Sequence, residues 1–110
     1  MESKLFTPVT FGPLTLRNRT IRSAAFESMC PGNAPSDMLL DYHRSVAAGG
    51  IGMTTVAYAA VTQSGLSFDR QLWMRPEIIP GLRRLTDAIH AEGAACLLYT
   101  SDAADDRISV

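Results

Sequence analysis

The sequence predicts an α/β fold built on a parallel sheet, and three observations predict it. Two segments with helical periodicity alternate with short strand-like runs, one of those runs is apolar almost throughout, and glycines punctuate the ends of both helical segments. A strand that is apolar on both sides of its pleat needs cover on both faces. A parallel sheet packed between layers supplies that cover, whereas a one-sided antiparallel sheet does not.

Taken in order, residues 11–16 surround Gly12-Pro13 and read as a small hairpin or turn. Residues 20–25 start with β-branched Thr20 and Ile21 and end in small side chains, which suits a first strand. A loop rich in helix breakers, residues 29–35, comes next. Ser36 then stands where an N-cap is wanted, with Asp37 in the first turn, where the positive end of the helix dipole favours a carboxylate. The first helix is predicted over Asp37–Ala48, with Leu39, Tyr42 and Val46 as its apolar stripe, and Gly49-Gly50 ends it.

Residues 51–60 form the continuous apolar run, a second strand buried on both faces. A polar loop over residues 62–75 leads to a second helix, residues 76–92, with Ile78, Leu82, Leu85 and Ile89 on one stripe and Gly93 as its stop. A third strand begins at about Ala94. The order is β-α-β-α-β, and no Gly-x-Gly-x-x-Gly loop follows the first strand, as it usually does in a doubly wound dinucleotide fold. A barrel is favoured, although the pattern alone leaves the open sheet in contention.

Composition narrows the function. The 110 residues are 46% hydrophobic and 19% charged with a net charge of −1, the balance of an ordinary globular chain with no electrostatic case for nucleic acid. No run of 18 apolar residues suggests a membrane span, and the N-terminus lacks the basic and apolar regions of a secretory signal. Cys30 and Cys96 provide neither a disulfide framework nor metal-ligand spacing. A cytoplasmic protein acting on a small molecule is the default expectation; oligomeric state is left open.

The C-terminus has its own signature. The string from Cys96 to Asp106 resembles one translated reading frame of a transposon-type sequencing adapter, and residues 107–110 fit an index followed by further adapter. Residues 1–95 are accordingly expected to be the natural part of a single domain, and residues 96–110 a non-native tail. The alternative is a natural strand with an acidic end. Without the tail, which carries Arg107 against Asp102, Asp105 and Asp106, the formal charge becomes +1.

One block carries a family likeness. Leu5-Phe6-Thr7-Pro8, the Gly12-Pro13 turn and the run Leu16-Arg17-Asn18-Arg19-Thr20-Ile21-Arg22-Ser23, with Ala48-Gly49-Gly50-Ile51-Gly52 later, resemble the N-terminal part of the old yellow enzymes, the FMN-dependent NADH:flavin oxidoreductase / NADH oxidase family. The resemblance implies the truncated N-terminal portion of a TIM (β/α)8 barrel. It also implies FMN as cofactor, NAD(P)H as reductant and hydride transfer to an activated alkene or similar acceptor.

Carried over by position, Ser23, Ala24 and Ala25 after the first strand and Tyr58 after the second would contact the flavin. Many members have Pro-Met at Ala24-Ala25 and a small residue at Tyr58, so these contacts would be largely through backbone. The competing reading makes Ser23 and the alanines small residues at a packed strand end. The family's flavin-binding glutamine, substrate-binding histidine pair and proton-donating tyrosine would lie beyond Ala95, so no catalytic residue is assigned.

The remaining candidates have plain readings. Phe26 is a loop aromatic that lies beside a ligand or fills the core. Cys30 is expected to be inert, Glu27 a solvated loop carboxylate, His43 and His90 ordinary helix residues, and Arg83-Arg84 a solvated face.

Overall fold

A computed structural model describes residues 4–25, 27–67 and 69–101. Strands β1 (Val9–Phe11) and β2 (Leu14–Leu16) form an antiparallel hairpin, with Val9 opposite Leu16 and Gly12 at φ +55° in the turn. Then come β3 (Ile21–Arg22), α1 (Asp37–Ala48), β4 (Met53–Ala60), α2 (Ile79–Ala91) and β5 (Ala95–Ser101). Strands β3, β4 and β5 make one parallel sheet in sequence order, with Ile21 beside Met53 and Met53 beside Ala95. This is the predicted β-α-β-α-β order.

The first helix has the predicted bounds, and the Ser36 hydroxyl accepts the Leu39 N–H at 3.0 Å as its cap. Its buried stripe differs from the expectation. Leu39, His43 and Ala47 face inward, whereas Tyr42 remains 36% exposed and Val46 is half-buried. A hydropathy pattern passes over the histidine, so it picks the flanking apolar positions. A 3-10 turn at Pro76–Ile78 leads into the second helix; Ile78 of the turn and Leu85 and Ile89 of the helix are buried as expected, while Leu82 is half-buried against the same core. These side chains pack with Leu39, Ala47 and Val56 in one core between the helices and the sheet. Each fully buried leucine or isoleucine there contributes about 1.5–3 kcal/mol.

The first strand is shorter than predicted. Only Ile21 and Arg22 pair with β4, and residues 23–25 continue outside the ladder. Residues 96–101, part of the segment the sequence sets apart, lie in β5. Cys96 and Leu98 are half-buried towards the helices, while Leu97 and Tyr99 are exposed.

The Arg17-Asn18-Arg19 corner acts at the end of the sheet where its strands begin. Arg17 donates to the carbonyl of Ala47 at 2.6 Å, of Glu92 at 2.7 Å and of Ile51 at 2.9 Å. Ala47 lies in the last turn of α1 and Glu92 caps the end of α2, where carbonyls lack i+4 helical partners and the dipole is negative. Asn18 donates to the Gly50 carbonyl at 2.7 Å and accepts from the Thr20 hydroxyl at 2.6 Å. Arg17 and Asn18, in the middle of the block that carries the family likeness, are therefore a structural clamp at the opposite end of the sheet from the strands' C-terminal ends.

Candidate functional site

In a parallel α/β sheet, the loops after the strands' C-terminal ends are the place for a ligand. Here those loops are the segment after β3 and the end of β4 with the loop beyond it. Two contacts tie them together: Arg22 donates to the Thr55 carbonyl at 2.9 Å, and the Ala57 N–H donates to Glu27 Oε1 at 3.0 Å. Ser23 and Ala25 are exposed and Ala24 is half-buried. Neither alanine makes a backbone hydrogen bond with another described residue. The segment thus presents short side chains and available peptide groups, a surface on which a flat ring with a polar edge can be held by backbone N–H groups.

Tyr58 sits in a β-bulge. Pairing steps from Val56–Leu98 to Ala59–Thr100, so β4 carries one extra residue, and Tyr58 absorbs it at φ +61°. A non-glycine residue in the left-handed region costs on the order of 1–2 kcal/mol and persists only where its surroundings enforce it. The enforcement is visible on both sides. Glu27 holds the Ala57 N–H, and buried Gln71 donates from Nε2 to the Tyr58 carbonyl at 2.6 Å. The Tyr58 ring meets that of Tyr99 edge to face, 5.4 Å between centroids.

The two loops are also joined further out. The Trp73 N–H and Arg75 Nη1 both donate to the Asn33 carbonyl, at 3.1 and 2.7 Å, and Asn33 Nδ2 donates to the Gln71 carbonyl at 2.8 Å. The Arg75 guanidinium lies over the Trp73 ring, 4.6 Å from its centroid.

Two polar residues that the sequence reading treated as ordinary prove central. Glu27 is no solvated loop carboxylate: its side chain is 5% exposed. His43 is fully buried, with Nε2 2.5 Å from Glu27 Oε2 and Nδ1 2.8 Å from the Thr54 hydroxyl. Arg22 lies 3.7 Å from the same carboxylate oxygen and donates to the Tyr42 hydroxyl at 3.0 Å. A carboxylate two residues past a predicted strand carries no burial signal of its own. The only hint was a histidine spaced four residues from both Leu39 and Ala47.

The other candidates fall as expected where they are described. His90 is exposed, and Arg84 reaches Asp37 across the helix surface at 3.3 Å. Phe26 lies outside the described residues. Among those residues, no group of three or more metal-ligating side chains comes together.

Cys30 is buried, and desolvation, followed by the Glu27 charge, pushes its thiol up to about 11 from the usual 9.0. The thiol is thus protonated near neutrality, and only the thiolate is nucleophilic. Because the folded value is raised, the stabilisation is fully present below pH 9 and is lost as pH rises through about 11. In the native protein Cys30 should resist alkylation at neutral pH and become reactive on denaturation. Equal labelling rates in the two states would contradict this.

Comparison with known proteins adds the family. Residues 4–102 match the NADH:flavin oxidoreductase / NADH oxidase family. The 4,4'-dithiodibutanoate disulfide reductase of Rhodococcus erythropolis is 53% identical over 90 residues, covering 82% of this chain and 22% of that protein. An NADPH dehydrogenase of Listeria monocytogenes is 33% identical over 96 residues, covering 84% and 28%. Among solved structures, a 2-naphthoyl-CoA reductase complex superposes with a TM-score of 0.85 at 26% identity, over 90% of this chain and 16% of that one. The old yellow enzyme of Trypanosoma cruzi gives 0.82 at 23% identity, over 91% and 27%, a likeness of fold. The chain spans 16–28% of the length of these relatives. Their barrel accounts for the parallel β3–β4–β5 sheet with its helices on one side, and the chain belongs to the NADH:flavin oxidoreductase / NADH oxidase family.

Proposed function

We propose that the full-length protein is an FMN-dependent oxidoreductase and that this chain supplies the first two strand ends of its flavin site. FMN, when bound, would take hydride from NAD(P)H and pass it to an activated alkene or similar acceptor. The Rhodococcus relative's name adds a small organic disulfide to the acceptors worth assaying. Ser23, Ala24 and Ala25 would let the backbone approach the ring and offer N–H groups to its polar edge. Tyr58, on the bulge, would close the site from the neighbouring strand. The chain's own part is to bind and orient, and it contributes no assigned proton donor or acceptor.

The observation that carries this reading is the small-residue segment, exposed at Ser23 and Ala25 and, among the described residues, without backbone pairing at Ala24 and Ala25, locked beside the Tyr58 bulge at the C-terminal edge of the sheet. The test is the full-length protein with Ala25→Leu. Ala25 is exposed, so the fold should tolerate the change within about 0.5 kcal/mol. The added side chain would nevertheless stand between backbone and ring, and bound flavin per protein should fall severalfold. A wild-type protein that purifies without flavin and takes up none, or an Ala25→Leu variant with full flavin content, would count against it.

The residues beyond about Ala95 are proposed to be foreign to that protein. Reading the source gene past codon 95 checks this, and a natural continuation encoding the same tail would remove the idea.

A further inference from the structure

The buried Glu27–His43 pair does no work in the flavin-contact reading, yet both side chains are almost wholly withdrawn from solvent. Burying two such side chains is costly unless each finds a partner. Among the described residues, Glu27 Oε2 and His43 Nε2 have no hydrogen-bond partner besides each other. The other two polar atoms of the pair reach neighbouring strand residues: His43 Nδ1 contacts the Thr54 hydroxyl, and Glu27 Oε1 takes the Ala57 N–H. The pair therefore links α1 to β4 at two points, Thr54 and Ala57, which bracket the last regular residues before the bulge.

What lies beyond Ala57 gives the link its purpose. Tyr58 is held in the left-handed region, and a bulge of that kind relaxes unless the peptides on both sides are fixed. Gln71 fixes the Tyr58–Ala59 peptide through the Tyr58 carbonyl, and Glu27 fixes the Val56–Ala57 peptide that leads into the bulge. Glu27 in turn is immobilised by His43 and by Arg22, whose Nη1 also holds the Thr55 carbonyl.

We propose that Glu27, held by His43, is a positioning residue that fixes the Val56–Ala57 peptide, at the residue before Tyr58, and thereby sets the Tyr58 side of the flavin site. This rests on the reading that Tyr58 and the segment after β3 face the flavin. Glu27 touches neither flavin nor substrate; it acts through the backbone it holds. The working part is the hydrogen-bond acceptor at Oε1. Glutamine offers the same acceptor and can still donate to His43 Nε2, provided that Nδ1–H donates to Thr54.

The test uses the full-length flavoprotein and three variants: Glu27→Ala, Glu27→Gln and the double variant Glu27→Leu/His43→Leu. The readouts are FMN dissociation constant, flavin absorption spectrum and circular dichroism. Groups that orient metal ligands are typically worth about 10–100-fold in affinity; with a comparable effect here, Glu27→Ala should weaken FMN binding by ~10-fold or more and shift the flavin bands. Glu27→Gln should recover most of that loss and the wild-type spectrum, which a role in stability alone does not require.

If Glu27→Ala fails to fold, the double variant decides. It removes both buried polar partners together and leaves no unpaired carboxylate. A folded double variant with weakened, spectrally shifted flavin supports the assignment. Wild-type affinity and spectrum in either folded variant overturn it while leaving the flavin reading intact. A Glu27→Gln variant as impaired as Glu27→Ala overturns the acceptor role. A wild-type protein that binds no FMN removes the flavin reading and this assignment with it.

Discussion

Replacing Gly52 by alanine is expected to destabilise the folded protein by about 3 kcal/mol, at the upper end of what overpacking a tight site costs. Gly52 precedes β4, and an added Cβ would stand 2.6 Å from the Asn18 carbonyl oxygen and 2.8 Å from both Asn18 Oδ1 and the Thr20 carbonyl oxygen. Two of those three atoms are backbone. The third, Asn18 Oδ1, is fixed by bonds from the Thr20 N–H and hydroxyl. None can retreat without breaking the corner that joins β3 to β4. The Gly52 peptide is also committed on both sides, its N–H donating to the Thr20 carbonyl at 3.1 Å and its carbonyl accepting the Ala95 N–H at 3.0 Å.

Gly50→Ala is the internal control. Gly50 has φ +107° with open space where its Cβ would be, so alanine there brings backbone strain without a clash. Denaturant midpoints of the two variants in the full-length protein should place Gly52→Ala well below Gly50→Ala. The reverse order would show that close approach is not what requires glycine at position 52.

The contrast between these glycines shows how much the sequence made legible. Gly50 and Gly93 stop helices, and the pattern of apolar residues before them announced where. The bounds of α1, the stripe of α2 and the parallel order of the strands all follow from such local signals. Gly52 gives no local sign of its role, because the atoms crowding it come from residues 18 and 20. The Glu27–His43 pair was hidden for the same reason. Its partners are 16 positions apart in sequence, and polarity argued for exposure at one and indifference at the other.

The candidate site divides in the same way. That small residues follow β3 could be read directly, whereas the one-residue bulge that turns Tyr58 depends on register against β5 and on Gln71 reaching back from the next loop. The Arg17 clamp is the converse case. Its residues stood out by family likeness, but only the carbonyls they reach, at the far end of the sheet, show the contribution to be structural.

Expressed alone, the 110-residue chain should aggregate and retain no FMN. The helices cover one face of the β3–β4–β5 sheet. On the other, Ile21 is 49% exposed, Leu97 51% and Tyr99 46%. Both outer strands, β3 and β5, have unpaired edges among the described residues, and an exposed apolar edge is a template for pairing with another chain. A closed barrel removes both liabilities at once, since each strand is paired on both sides and the inner face is filled by side chains from the opposite wall. The relatives have three-quarters or so of their length still to supply that wall.

The flavin site would be incomplete for the same reason, because two strand ends can hold only part of one edge and one face of the ring. Size-exclusion chromatography and flavin absorbance of the expressed chain test this together. Insoluble or polydisperse, colourless material is the expected result. A soluble yellow protein, or a colourless monomer with one cooperative thermal transition, would show that the exposed face of the sheet does not need the rest of the barrel. The second outcome would recast this segment as a self-sufficient α/β module.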